Sequence, residues 1–140
     1  MKPHTLKSKP YLTLEDCRRI GAAAMNEANK NNWNVTIAVL DDGGHLRWLE
    51  AMDGTSPFNS QVAVEKGRSA AVSRRSTNNW EERIADGRTA ILKMPVLPVQ
   101  GGVPIMAESH CVGAVGVSGV QSHEDEQIAI VGIAALGLAA

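Results

Sequence analysis

Aromatic side chains are scarce in this chain of 140 residues: one Phe, one Tyr and three Trp, 4% of the total. So few rings leave little material for an aromatic wall around a flat ligand. An excess of one charge is missing too. Fourteen Lys and Arg against fifteen Asp and Glu give a formal net charge of -1, which offers no global attraction to phosphate backbones or acidic membranes, so nucleic acid and membrane are excluded as partners. Only two cysteines occur, Cys17 and Cys111, far apart and without a CxxC or finger-like His spacing. That excludes a zinc site and a disulfide framework, and it points to reduced thiols and a cytoplasmic protein. No run reaches the roughly 18 uncharged apolar residues that cross a bilayer. The start, Met1 to Pro10, is basic and polar and lacks the apolar core of a signal peptide.

What is present is the composition of an ordinary globule, 44% hydrophobic and 21% charged, at a length that supports one core. Residues 1–12 read as an arm and 13–140 as one domain. Thr13 with Asp16 three residues on resembles a capping box, so a helix starts there, with Leu14, Cys17, Gly21, Ala24 and Ala28 on one narrow stripe. Asn29 to Asn32 ends it. Trp33 to Leu40 is rich in β-branched residues, the turn "DDGG" reverses the chain, and His45 to Met52 is the return strand. Ser56 as N-cap and Pro57 at the first helical position open a second helix over roughly Phe58 to Arg75, with a ridge of small residues at Ala63, Gly67, Ala70 and Ala71. A short helix is expected around Asn79 to Ala85.

Pro95, Pro98 and Pro104 then require any strands there to be short or at an edge. "GGVPIMA" and "SHCVGAVGVSG" read as two strands joined by a tight turn. Ser122 with Asp125 marks another capping box, opening a terminal helix that continues through the apolar stretch Ile128 to Ala140. The order α-β-β-α-(α)-β-β-α, with strands joined by tight turns, defines an α/β (α+β) fold, an antiparallel sheet flanked by helices. Gly113, Gly116 and Gly119 alternate along a strand and are expected to let a helix or a partner subunit approach closely. Gly101 and Gly102 are expected instead to form a bend whose N–H groups face a ligand, stiffened by Pro104.

The blocks "LDDGGHLRWLEAMDG", "GGVPI" and "GAVGVSGVQSHEDEQIA" closely resemble the signature blocks of the GlcG/HbpS-like, or haem-degrading domain, family, which includes the C-terminal domain of PduO-type corrinoid proteins. The resemblance runs from about Leu14 to Leu136. It implies a sheet of about five strands, assembly into dimers or larger homo-oligomers, and a ligand pocket at a subunit interface. It implies several activities as well: haem binding, accessory roles beside organic acid metabolism, and cofactor-free lyase action on hydroxylamino aromatic acids.

The residues bear on these options separately. Haem needs an axial ligand, and the histidines are His4, His45, His110 and His123. Where the PduO-type relatives carry a His after the second helix, this chain reads "STNNW", placing Asn78 or Asn79 there. Met94 and Met106 are alternative ligands. No metal site is expected, and haem is the one cofactor the resemblance implies. Arg68, Arg74, Arg75, Arg83 and Arg88 form a cationic cluster suited to a carboxylate. Arg68 and Arg75, seven apart, are expected to share a face. Glu65, if buried, could act with Lys66 or His45 as an acid–base pair.

Two classes of function therefore stay open. One is a small-molecule-binding protein that takes haem or a small organic acid through Arg68, Arg75, Asn78, Gly101, Gly102 and Pro104. The other is a cofactor-free lyase or isomerase acting on a carboxylate such as hydroxylaminobenzoate, with Glu65 and His45 as its catalytic groups.

Overall fold

The computed structural model describes residues 1–138. Helix α1 (Leu14–Lys30) begins at the expected capping box. The Thr13 hydroxyl accepts the Asp16 N–H, and the Asp16 carboxylate accepts the Thr13 N–H. The helix ends in the Asn run, where Asn32 takes φ 58°. Strands β1 (Thr36–Asp41) and β2 (Leu46–Ala51) form the first hairpin, and α2 (Pro57–Ser73) and α3 (Thr77–Ala85) follow. A 3-10 turn at Thr89–Lys93 precedes the proline-punctuated region. Strands β3 (Gly102–Ala107) and β4 (His110–Ser118) make the second hairpin, and α4 (Ser122–Ala134) closes the chain.

The sheet is antiparallel with order β2-β1-β4-β3. It has four strands where about five were expected, because the chain between Pro95 and Gly101 runs as irregular coil. Pro104 sits on β3, an edge strand, as its missing N–H demands. The turn between β3 and β4 places Glu108 and Ser109 at φ 51° and 66°, the signs of a type I′ hairpin.

Helices α1 and α4 cover one face. There Ile20, Ile37, Val39, Ile105, Val115, Val117 and Ile128 form the main aliphatic core, and Leu12 anchors the N-terminal arm into it. Helix α2 lies on the other face, with its own Ala63, Ala70 and Ala71 packed towards Ala38 of β1 and Ala114 of β4. The approach is so close that a Cβ on Gly116 would stand 1.9 Å from the Ala63 carbonyl oxygen. The expected role of the β4 glycines is met at this position.

Two boundaries differ from expectation. Helix α2 stops at Ser73 because Arg74 adopts the left-handed conformation (φ 60°), so Arg75 leaves the helix and no longer shares a face with Arg68. Helix α4 is capped by Gln121 and Glu124, one residue earlier than the Ser122–Asp125 pair, with the Glu124 carboxylate accepting the Gln121 N–H at 3.1 Å. Asp125 is thereby freed from capping and turned into the interior. The helix ends at Ala134, and the last part of the expected helix, residues 139–140, lies outside the described residues. Among the described residues no helix is long and apolar enough to cross a membrane.

Candidate functional site

The site begins where α2 ends. The left-handed turn at Arg74 throws Arg75 and Ser76 outward, and the Ser76 hydroxyl accepts the Asn79 N–H at 3.2 Å to start α3. Trp80, one turn into that helix, is buried. Its indole N–H donates to the Ser73 hydroxyl at 3.0 Å, while the guanidinium groups of Arg75 and Arg83 lie 5.7 and 5.4 Å from its ring centre. Stacking of this kind holds the arginines in place while leaving their N–H edges available.

Beside this corner the edge strand β3 and the outer face of α4 complete a groove of about 450 Å³. Val103, Pro104, Met106 and Ile130 supply apolar surface; Arg74, Arg75, Ser76, Asn78 and Glu126 supply the polar groups. Among the described residues no histidine lines it, and the soft donor present is the Met106 thioether. Arg74 is partly committed, since its Nη1 donates to the Asp42 and Ala71 carbonyls at 3.0 Å. Arg75 makes no ion pair among the described residues. Glu126 accepts from Gln100 Nε2 at 3.2 Å, and Asn78 donates to Glu82 at 3.2 Å. A groove with an apolar floor and a guanidinium at its rim suits an amphipathic anion: the body desolvates, and the charge stays at the mouth.

Of the residues singled out in the sequence, Arg74, Arg75, Asn78, Pro104 and Met106 are brought together here. Glu65, Arg68, His45 and the Gly101–Gly102 pair are placed elsewhere. Gly101 and Gly102 are buried. The Gly102 N–H donates to the Thr77 hydroxyl at 2.8 Å, and a Cβ on Gly102 would meet the Lys66 carbonyl oxygen at 2.2 Å. The bend is a seat for α2. Arg68 pairs with Glu65 at 3.0 Å and donates to the Pro95 carbonyl at 3.0 Å, tying the irregular segment to α2.

Glu65 is exposed, so the burial that the acid–base reading required is absent. His45 is also exposed, 80% for its side chain, and its Nδ1 lies 3.1 Å from the Asp41 carboxylate. Partial burial pushes Asp41 up, but the His45 and Gly43 N–H groups outweigh it and hold the carboxyl below its ordinary value. His45 is therefore a turn residue bonded to its own hairpin, and Lys66 is drawn away to Asp125.

Residues missed by sequence reasoning include Ser76, Val103, Glu126 and Ile130. Glu126 and Ile130 lie four apart, so they share a face of α4. The signal was the mixed character of that face, which a reading of the acidic first turn as dipole complement and of the stretch from Ile128 as buried passed over.

The layered fold, with a groove at the edge strand and an arginine-bearing corner, defines an α+β domain with a small-molecule groove. Its family follows from comparison: residues 12–134 match the pattern of the family described as "Haem degrading protein HbpS-like", and the chain belongs to it. It is 46% identical over 114 residues to Protein GlcG of Escherichia coli (strain K12), covering 81% of this chain and 85% of that one. A double mutant of Streptomyces reticuli HbpS superposes with a TM-score of 0.87 at 30% identity, covering 98% of this chain and 94% of the other. The fold is shared as well with a structure named as the PduOC:Heme complex, at a TM-score of 0.83 and 22% identity over 92% and 97% of the two chains.

Proposed function

We propose that the groove between β3, α3 and α4 binds an amphipathic organic acid, haem or a smaller aromatic carboxylate, and that a second copy of the chain closes it. The observation that carries this reading is the apolar floor of Val103, Pro104, Met106 and Ile130 beneath the rim guanidinium of Arg75. Haem is the ligand named for the PduOC relative, and haem degradation is the name of the family. The residues present fit a porphyrin: the aliphatic surface would take its apolar body, Arg75 would pair with a propionate, and the Met106 thioether would be the soft donor available to the iron. Bound there, haem would supply an iron centre for ligand or electron chemistry. With Asn78 or Asn79 where the resemblance places a histidine, the thioether would be the soft donor left in the groove.

Titration of the purified protein with haemin tests this. The Soret band is expected to sharpen and shift on binding. Arg75→Ala should weaken affinity about ten-fold, the loss of one charge-assisted contact. Met106→Leu should retain binding but change the visible bands that report axial ligation. Unchanged spectra in wild-type protein, or equal affinity in both variants, would remove the haem reading.

Glu126 supports a second reading. It is a carboxyl group in the same groove as Arg75, the pair that a cofactor-free lyase on hydroxylaminobenzoate would need to protonate its leaving group and clamp its carboxylate. Ammonia release from that substrate by haem-free protein, lost in Glu126→Gln, is the expected sign of turnover.

A further inference from the structure

A second hollow, of about 320 Å³, opens between the first turns of α2, the end of β4, the start of α4 and the segment carrying Leu97 and Val99. Phe58, Val62 and Val120 give it apolar walls, and Lys66 and Asp125 both line it. These two are the most deeply buried opposite charges of the described residues, each 2% exposed, with Lys66 Nζ 3.2 Å from Asp125 Oδ2. Burying an ion pair costs about as much as it returns, and aliphatic side chains would fill the same place at least as stably. A pair retained where a hollow reaches it points to chemistry.

The details favour an amine held ready for attack. Lys66 donates to the Val117 carbonyl at 3.0 Å and to Asp125, which accounts for two of its three N–H donors among the described residues. The second Asp125 oxygen accepts the Val120 N–H at 3.2 Å, so the carboxylate cannot swing away. Space around the nitrogen is kept by Gly101 (φ 135°), where a Cβ would stand 2.7 Å from Nζ and 2.8 Å from the Val117 oxygen. The bend that seats α2 thus also leaves the amine room.

We propose that Lys66 condenses with a small apolar aldehyde or ketone admitted to this hollow, with Asp125 taking and returning the proton. The balance is simple. Lys66 passes one ammonium proton to Asp125 Oδ2, the neutral amine adds to the carbonyl carbon, and the oxygen takes the two remaining hydrogens that the nitrogen gives up and departs as water. An imine remains, which regains the proton from Asp125, so that cation and carboxylate still face each other. Burial pushes the Asp125 carboxyl up, against the opposing pull of Lys66, as suits a group that must hold a proton in passing. The apolar walls limit hydrolysis of the imine.

Benzaldehyde with cyanoborohydride near neutral pH, followed by peptide mapping of the wild-type protein, tests the proposal. A benzyl group is expected at Lys66 at an initial rate about ten-fold above that of exposed lysines such as Lys2 or Lys7, the advantage of a desolvated amine beside its base. Asp125→Asn should slow labelling at Lys66 while leaving the exposed lysines unchanged, and Lys66→Arg should abolish that one adduct. Label confined to exposed lysines in the wild-type protein overturns the proposal whether or not the variants fold. Haemin titration of the same sample reads the other groove separately.

Discussion

Gly116 occupies the one place on β4 where the backbone of α2 comes within touching distance of the sheet. A methyl group there would meet both the Ala63 carbonyl oxygen and, at 2.6 Å, the Gly67 nitrogen; neither is a flexible side-chain tip. Helix and strand would have to separate. Gly116→Ala is therefore expected to cost about 3 kcal/mol, the upper range for overpacking a tight interior, measured as a lowered urea midpoint with an unchanged slope. Gly67 faces the same interface from the helix side, where a Cβ would lie 2.1 Å from Leu40 Cδ1. At this scale the sequence was legible for β4, since glycines spaced by three in a β-branched run say that something passes close. For Gly101 and Gly102 it did not name the close neighbour, which is the Lys66 turn of α2.

Among elements, α1 and α4 lie side by side and are joined by more than aliphatic contact. Gln127 Nε2 donates to Glu27 at 2.7 Å, and Lys30 lies 3.3 Å from the same carboxylate. The Gln127 hydrogen bond, helped by Lys30, holds the Glu27 carboxyl below its model-peptide value of 4.5. A depressed carboxyl stabilises the fold above its unfolded-state value and loses that contribution as pH falls through the lower, folded-state value. The stability difference between wild type and Gln127→Ala is thus expected to persist at neutral pH and to shrink below about pH 4.5, as acid unfolding monitored by circular dichroism would show. The start of α4 teaches a related point. Ser122–Asp125 and Gln121–Glu124 are both plausible caps by spacing, and local sequence cannot choose between them. Burial decides: Asp125 is needed inside, opposite Lys66, so the cap shifts by one residue.

For the whole molecule, the expected homo-oligomer concerns the outer face of α4 and the edge strand beside it. Ile130 is 43% exposed and lines the groove together with Pro104 and Met106 on β3. A second copy seated there would bury it. Ile130→Glu is expected to lower the mass measured by light scattering and to weaken haemin binding in parallel; an unchanged mass would place any interface elsewhere. The linear chain by itself determined the element order, the hairpin turns, the α1 cap and the edge position forced by Pro104, because each depends on neighbours within a few residues. It also determined the family, through blocks whose order survives in the chain. Lys66 left a local trace, a lysine in register with Ala63, Gly67 and Ala70 on the buried stripe of α2. Its partner is 59 residues away, at the start of a helix on the other side of the sheet. Only the tertiary structure decided that pairing, the exposure of Glu65 and His45, and the meeting of Arg75, Asn78 and Pro104 in one groove. Distances between elements are set by how closely α2 can pack on the glycines and alanines beneath it, and no local pattern encodes that sum.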